Sequence, residues 1–354
     1  MNHSIKPGQI WYDTDGKRIQ AHGGAFYYES GIYYWYGENK ENTDGKNGIW
    51  TSGIRYYSST DFYNWKNEGF LIPPDQEDAD SPLHPSQKLD RPHILHNPKT
   101  GKYVCWIKVS GEKACFLILT ADSFRGPYTL VKADFRPLGK KAGDFDLVQE
   151  EGGTRAFLYF DSEHRGVSAM ELTDDYLDVQ PAEVMSYEGL YPPFCREGIA
   201  HFMKNGRHYL FTSGMTGYIP NPSDTAVSDD WMKTYQSIGS PHTEDTSSAS
   251  FNSQISAVFH HPFRKNLYLV LADRWVPDFV MTQERYAWIE RTIGARFAPE
   301  KYHPTREDGE KLMASPLLGS ANTSVADYVL LPVTWEDDRP VIRWMDEWTI
   351  EDFV

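Results

Sequence analysis

Residues 23–38 read GGAFYYESGIYYWYGE, two aromatic-rich runs around a Glu-Ser-Gly turn. Aromatic residues favour strands, and a short turn with glycine joins two strands as a hairpin. The same plan returns as PHILHNPKTGKYVCWIKV at 92–109 and FDLVQEEGGTRAFLYF at 145–160, then as GIAHFMKNGRHYLFTS at 198–213 and ISAVFHHPFRKNLYLVLA at 255–272. Further strand-like pieces lie between the copies, among them SGIRYYSSTDFYNWKNEG and CFLILTADSFRGPYTLV. STDFYNW and TADSFRGPY occupy matching places in two repeats. Five copies, each with an outer hairpin, predict an all-β, five-bladed β-propeller of about four strands per blade.

No linker or low-complexity segment divides residues 1–354, so one domain is expected. The strand-like C-terminus, 327–354, is expected to close the ring or brace the first blade, because a propeller must cover its sheet edges.

The composition narrows the function classes. Lys and Arg number 35 against 50 Asp and Glu, a net charge of −15. A surface so acidic repels phosphate backbones, so nucleic acid is not an expected partner. No apolar run is long enough to span a membrane as a helix. Three cysteines, Cys105, Cys115 and Cys195, make no disulfide framework. The opening NHSIKPGQIW has no apolar leader core, which predicts a cytoplasmic protein; a chain with its leader removed reads the same. Aromatics reach 14%, enough to build a large β core and to stack on sugar faces.

In a propeller the leading ends of the innermost strands converge on one face of a central channel. Polar residues stand there in every repeat: Gln20 and His22, Asp90 and Arg91, Asp144 and Asp146, Arg196 and Glu197, and Asn252, Ser253 and Gln254. Carboxylates around an aromatic-lined pocket point to glycosidic bond hydrolysis. One carboxylic acid protonates the leaving oxygen, and a second group activates water or attacks the sugar. A neighbouring carboxylate raises the acid's pKa so that it stays protonated near neutrality. Glu197 is the candidate acid and Asp144 the candidate modulator.

With these motifs in place, the chain resembles glycoside hydrolase family 43. IQAHGGAFYYESGIYYWYGENK, REGIAHFMKNGRHYLFTSGMTGYIPNP, FNSQISAVF and ADRWVP look like its exo-β-1,3-galactanase subgroup. Most of that family carry a base aspartate on the first strand, where this chain reads Ala21-His22-Gly23-Gly24. The resemblance implies Glu197 as general acid, Asp144 as its modulator and Gln254 as the group that positions water. Asp90 stands where the subgroup has glutamate, and is the alternative water-activating group. Glu38, Glu188 and Thr216 match sugar-hydroxyl contacts. His22 is read as a sugar or channel-metal contact or as a structural histidine, and Trp275 as a stacking platform or as core.

The implied function is an inverting exo-hydrolase that releases galactose from β-1,3-galactan or its oligosaccharides. Residues 39–51 and 72–90 are expected to wall its pocket. No cofactor is expected, and no dedicated metal site is read; calcium in the central channel is the one ion left open. The partner is an oligo- or polysaccharide, with oligomeric state unassigned. Rival readings are an α-L-arabinofuranosidase, β-galactofuranosidase or β-xylosidase of the same fold, and a catalytically inactive carbohydrate-binding propeller.

Overall fold

The computed structural model describes residues 1–247, 249–316 and 321–353. Five four-stranded antiparallel sheets stand as blades around one axis. Blade one holds β1 (His22–Glu29), β2 (Ile32–Glu38), β3 (Ile54–Ser59) and β4 (Lys66–Ile72). Blade two holds β5 (Leu89–His96), β6 (Tyr103–Val109), β7 (Cys115–Ala121) and β8 (Thr129–Phe135). Blade three holds β9 (Ala142–Gln149), β10 (Ala156–Ser162), β11 (Val167–Glu171) and β12 (Val184–Ser186). Blade four holds β13 (Glu197–Lys204), β14 (Arg207–Ser213), β15 (Ser223–Ser228) and β16 (Gln236–Gly239). Blade five holds β17 (Gln254–His260), β18 (Tyr268–Arg274), β19 (Asp327–Glu336) and β20 (Arg339–Ile342). The five hairpins read from sequence are the first two strands of the five blades.

Burial follows position in the blade. Second strands are covered on both faces by neighbouring blades, and β10 is buried along its whole length. Outermost strands meet a partner on one face only, so β4 and β8 show exposed positions in alternation. The aromatic excess fills the seams. Phe26, Trp35, Phe62 and Trp65 of blade one pack in a common cluster with Leu269 and Leu271 of blade five. Phe116 of blade two meets Phe145 of blade three edge-on, with ring centres 4.7 Å apart. Phe157 of blade three stacks on Trp231 of blade four at 4.5 Å.

The C-terminal strands lie in the fifth blade. β19 pairs with β18, and β20 with β19. β19 packs on blade one directly, its Tyr328 stacking on His22 and meeting Trp35 edge-on with ring centres 4.5 Å apart, and the residues after β20 reach it too. Trp348 bridges Ile5, and the Ile350 amide donates to the Tyr63 hydroxyl at 2.8 Å.

The sequence reading held no element for the stretch between β18 and β19. It carries two helices, α1 (Gln283–Gly294) and α2 (Arg306–Ala314). Thr282 caps α1, and Thr305 with Asp308 forms a reciprocal capping box on α2. The Thr-x-x-Asp spacing was the available signal.

Candidate active site

Three blades begin with one backbone device. His22, Asp90 and Glu197 stand at the head of β1, β5 and β13, and each pairs across to the second strand, with Glu38, Lys108 and Ser213. A bulge follows each of them. The next residue is left-handed in all three: Gly23 at φ 56°, Arg91 at φ 50° and Gly198 at φ 60°. This turns its amide toward the neighbouring blade, where a carboxylate accepts it. Gly23 donates to Asp273 at 2.9 Å, Arg91 to Glu38 at 2.8 Å, and Gly198 to Asp144 at 3.0 Å. Buried amides need such partners. A Cβ at residue 23 would lie 2.2 Å from Glu38 Oε1, so glycine is required there by space as well as by φ.

The strand heads surround a cavity of about 290 Å³. Glu38, Asp90, Asp144, Glu197 and Gln254 line it with Lys108, Trp50, Tyr218 and Trp275. The three aromatics form an arc: Trp50 to Tyr218 spans 5.9 Å between ring centres, and Tyr218 to Trp275 spans 5.2 Å. Such an arc offers an apolar wall to a sugar ring while the carboxylates meet its hydroxyls. Trp50 and Lys88, from the two segments expected to wall the pocket, do line it.

Asp144 and Glu197 are neighbours with opposite ionisation. Burial pushes Asp144 upward, but Arg91 and Lys108 overcome it and hold the carboxyl well below the usual range. Arg91 Nε lies 2.9 Å from one oxygen and Lys108 Nζ 2.5 Å from the other. Glu197 has no such cations in contact. Burial and the Asp144 charge push it up to about 8, against a weaker opposing pull from Lys108. A carboxylic acid that keeps its proton at neutral pH stands beside a fixed anion, as general acid catalysis requires.

A second carboxylate pair lines the pocket. Asp90 accepts from Trp50 Nε1 at 2.6 Å and from the Ser110 hydroxyl at 2.5 Å, with Lys108 3.6 Å away. Glu38 sits 2.6 Å from the buried Lys40 ammonium. Burial raises Glu38 to about 7; Lys40 opposes the rise and Asp90 adds to it. Gln254 donates its amide to Glu197 at 3.2 Å and to Ser213 at 2.9 Å, and its carbonyl accepts from Trp275 Nε1 at 3.3 Å. It is therefore held beside the candidate acid, with its carbonyl turned to the indole.

Other candidates lie elsewhere. His22 is fully buried and does not line the pocket. Its Nδ1 meets Asp273 at 2.9 Å, its Nε2 meets Gln20 at 3.1 Å, and its ring stacks on Tyr328 at 4.7 Å. Burial lowers its pKa against the pull of Asp273. Thr216 is buried, donating to the Ile219 carbonyl and accepting from Asn221, both at 2.6 Å. It shapes the loop that presents Gly217 and Tyr218 to the pocket. Glu188 is exposed and lines a separate depression with Lys140, Arg165 and Tyr191. Asp146 lies off the pocket, accepting from the His201 amide at 2.7 Å. Arg196 spends its guanidinium on Thr212 and the Pro222 carbonyl. Among the described residues, no group of three or more His, Cys, Asp or Glu side chains could hold a metal ion.

Lys108, Arg91, Trp50 and Tyr218 received no role from the sequence. Lys108 had a signal: it is the lone charge in YVCWIKV, a strand otherwise buried. Trp50 and Tyr218 come from loops, where no periodicity marks them.

The profile described as "Glycosyl hydrolases family 43" matches residues 20–260, from the head of blade one to the end of β17. No curated protein sequence matches the chain. Among solved structures, a family 43 β-1,3-galactosidase superposes with a TM-score of 0.80 at 27% identity, covering all of this chain and 65% of that one. The chain thus spans just under two thirds of that relative's length. A second family 43 β-1,3-galactosidase, solved with galactodeoxynojirimycin, gives 0.76 at 24% identity, covering 98% of this chain and 100% of that one. An exo-β-1,3-galactanase from Phanerochaete chrysosporium, solved with β-1,3-galactotriose, gives 0.73 at 23% identity, covering 99% and 68%. The last two likenesses speak for the fold alone. The profile match covers most of the propeller and includes all four strand heads that carry the pocket's polar groups, and with it this chain belongs to glycosyl hydrolase family 43.

Proposed function

We propose that the chain is an inverting, exo-acting hydrolase that releases galactose from β-1,3-galactan or its oligosaccharides. The observation that carries this reading is the Glu197–Asp144 pair, a protonated carboxyl beside a fixed carboxylate in an aromatic-walled pocket. The names of the similar structures supply the sugar and linkage. Glu197 gives its proton to the glycosidic oxygen as the bond to the anomeric carbon breaks. Water attacks that carbon from the opposite face and passes its proton to Asp90 or, where Gln254 only positions it, on to solvent, leaving galactose of inverted configuration and a shortened chain.

Asp90 or Gln254 holds the water. Asp90 is the stronger base, while Gln254 offers only an amide carbonyl beside the acid. Turnover kept in Asp90→Asn and lost in Gln254→Ala would assign the water to the glutamine, and the reverse pattern to the aspartate. The function is tested by incubating the protein with β-1,3-galactobiose and longer homologues beside Glu197→Gln. Galactose released by wild type alone supports it; silence from both proteins, with arabinosides, xylosides or galactofuranosides cleaved instead, overturns the sugar assignment.

One observation favours a second reading, a propeller that binds carbohydrate without cleaving it. The blade-one strand head, where the resemblance places a base, is the buried His22. Tight sugar binding without turnover, unchanged in Glu197→Gln, would support that reading.

A further inference from the structure

The cavity does not end at the catalytic carboxylates. Gly111 lines both the central pocket and an adjoining groove of about 410 Å³, whose walls are Ala114, Lys141–Gly143 and the blade-three turn Glu163–Arg165. Glu163 and Arg165 continue into the depression that holds Glu188. In a chain of net charge −15, this groove carries unspent positive charge. Among the described residues, the side chains of Lys141 and Arg165 make no ion pair and no hydrogen bond, and both are exposed; the exposed Lys88 makes neither, but its ammonium lies over the Trp50 ring, 5.2 Å from its centre. Lys88 lies where pocket and groove meet: a Cβ on Gly111 would be 3.7 Å from its Nζ. His164 adds a ring nitrogen, held on Asp161 at 2.6 Å. Glu163 is the one acidic residue lining the groove itself.

The direction of the groove gives it meaning if the chain is a galactan hydrolase, as proposed above. Groove and pocket join at Gly111, and the groove's His164 and the Asp161 that holds it lie within charge–charge reach of Glu197, so the groove runs on the side of the acid. An acid protonates the leaving oxygen, so the chain beyond that oxygen runs toward this side. We infer that the groove is a leaving-group subsite for an anionic saccharide, a galactan oligosaccharide bearing a uronate, whose carboxylate is received by Arg165 and Lys141 with Lys88 at the entrance. The guanidinium fork matches a carboxylate in two parallel hydrogen bonds, and the lysines add point charges. A neutral galactan would leave these charges unused.

The test compares β-1,3-galactobiose with the same disaccharide carrying a glucuronate on its reducing-end galactose. Calorimetry on Glu197→Gln protein measures binding without turnover. The uronate form is expected to bind about five- to tenfold more tightly, the scale of exposed charge pairs acting together. The preference should fall in the Lys141→Gln/Arg165→Gln double variant and shrink in high salt. Equal binding of the two sugars, or a preference untouched by the double variant, overturns the inference. Both substituted residues are exposed, so loss of folding is not expected, and a melting curve of the double variant checks this. Wild-type hydrolysis of the neutral disaccharide separates the two claims. Hydrolysis without uronate preference sinks the subsite alone. A variant-sensitive preference without hydrolysis sinks the galactan reading and leaves the anion site standing.

Discussion

Blade one and blade four begin alike and end up with opposite duties. Each opens with a residue in a bulge, then a left-handed glycine whose amide reaches a carboxylate of the neighbouring blade. In blade four the opening residue is Glu197, free to face the pocket because the neighbouring carboxylate, Asp144, is anchored by Arg91 and Lys108. In blade one it is His22, drawn out of the pocket into Asp273, Gln20 and Tyr328. The same backbone thus serves either chemistry or structure, depending on whether the neighbouring carboxylate has cations of its own. Asp144 has them and leaves Glu197 alone. Asp273 takes the histidine.

Four experiments sharpen or break this contrast. Glu197→Gln should lower turnover most, by about 10² to 10⁴-fold, the span of general acid contributions. The same variant should be more stable than wild type near pH 8. A folded-state pKa raised to about 8 means that wild type loses stability as pH climbs from the ordinary glutamate value through 8. Glutamine lacks that loss, so a gain of up to about 4 kcal/mol is expected in denaturant melts at pH 8 and none at pH 4. A less stable variant at pH 8 would mean that the acid is not held protonated.

Asp144→Asn should cost about 3 kcal/mol of stability, because it leaves the buried Arg91 without a carboxylate and Lys108 with Asp90 alone, 3.6 Å away. It should also move the alkaline limb of the kcat profile to lower pH, since the charge that helps raise Glu197 is gone. An unmoved limb would deny Asp144 its modulating role.

His22→Asp puts a carboxylate back on blade one. It would face Asp273 inside the core, so a loss of about 1–3 kcal/mol and no gain in turnover are expected, read by thermal melting and product release. A gain in turnover would show that blade one differs from a catalytic blade by the side chain alone. The smallest effect is the wild-type pH profile. Activity should decline as pH rises through about 8, where Glu197 gives up its proton, and a profile flat to pH 9 would contradict the acid assignment.

The blades were legible because each innermost hairpin is local. Its two strands are joined by a short turn, and its aromatic pattern survives in the bare sequence. The strand heads were legible for the same reason, since a residue just before a hairpin has a known place in a propeller. Glu38, Asp90, Asp144, Glu197, Gln254 and Trp275 do stand around one pocket. Glu188 and Thr216 were matched by motif, and the structure turns one to solvent and the other into a loop. His22 occupies the right backbone position, but its orientation depends on Asp273, some 250 residues away, and no local pattern announces such a partner. The arc of Trp50 and Tyr218 has the same obstacle, being made where two loops from distant blades meet.

The stitching of amides to carboxylates between blades has a consequence for engineering new activities into this scaffold. Glu38 and Asp144 each do two jobs, lining the pocket and closing a seam. Replacing either one with a side chain that cannot accept a hydrogen bond orphans an amide on the next blade, so a redesign that treats them as free pocket positions weakens the ring as it changes the chemistry. Tyr218 and Trp275 close no such seam, whereas Trp50 donates its indole N–H to Asp90 of blade two. A change of sugar preference is therefore better sought at Tyr218 or Trp275 of the aromatic arc, and a change at a strand head is better made in pairs, with the left-handed residue it serves.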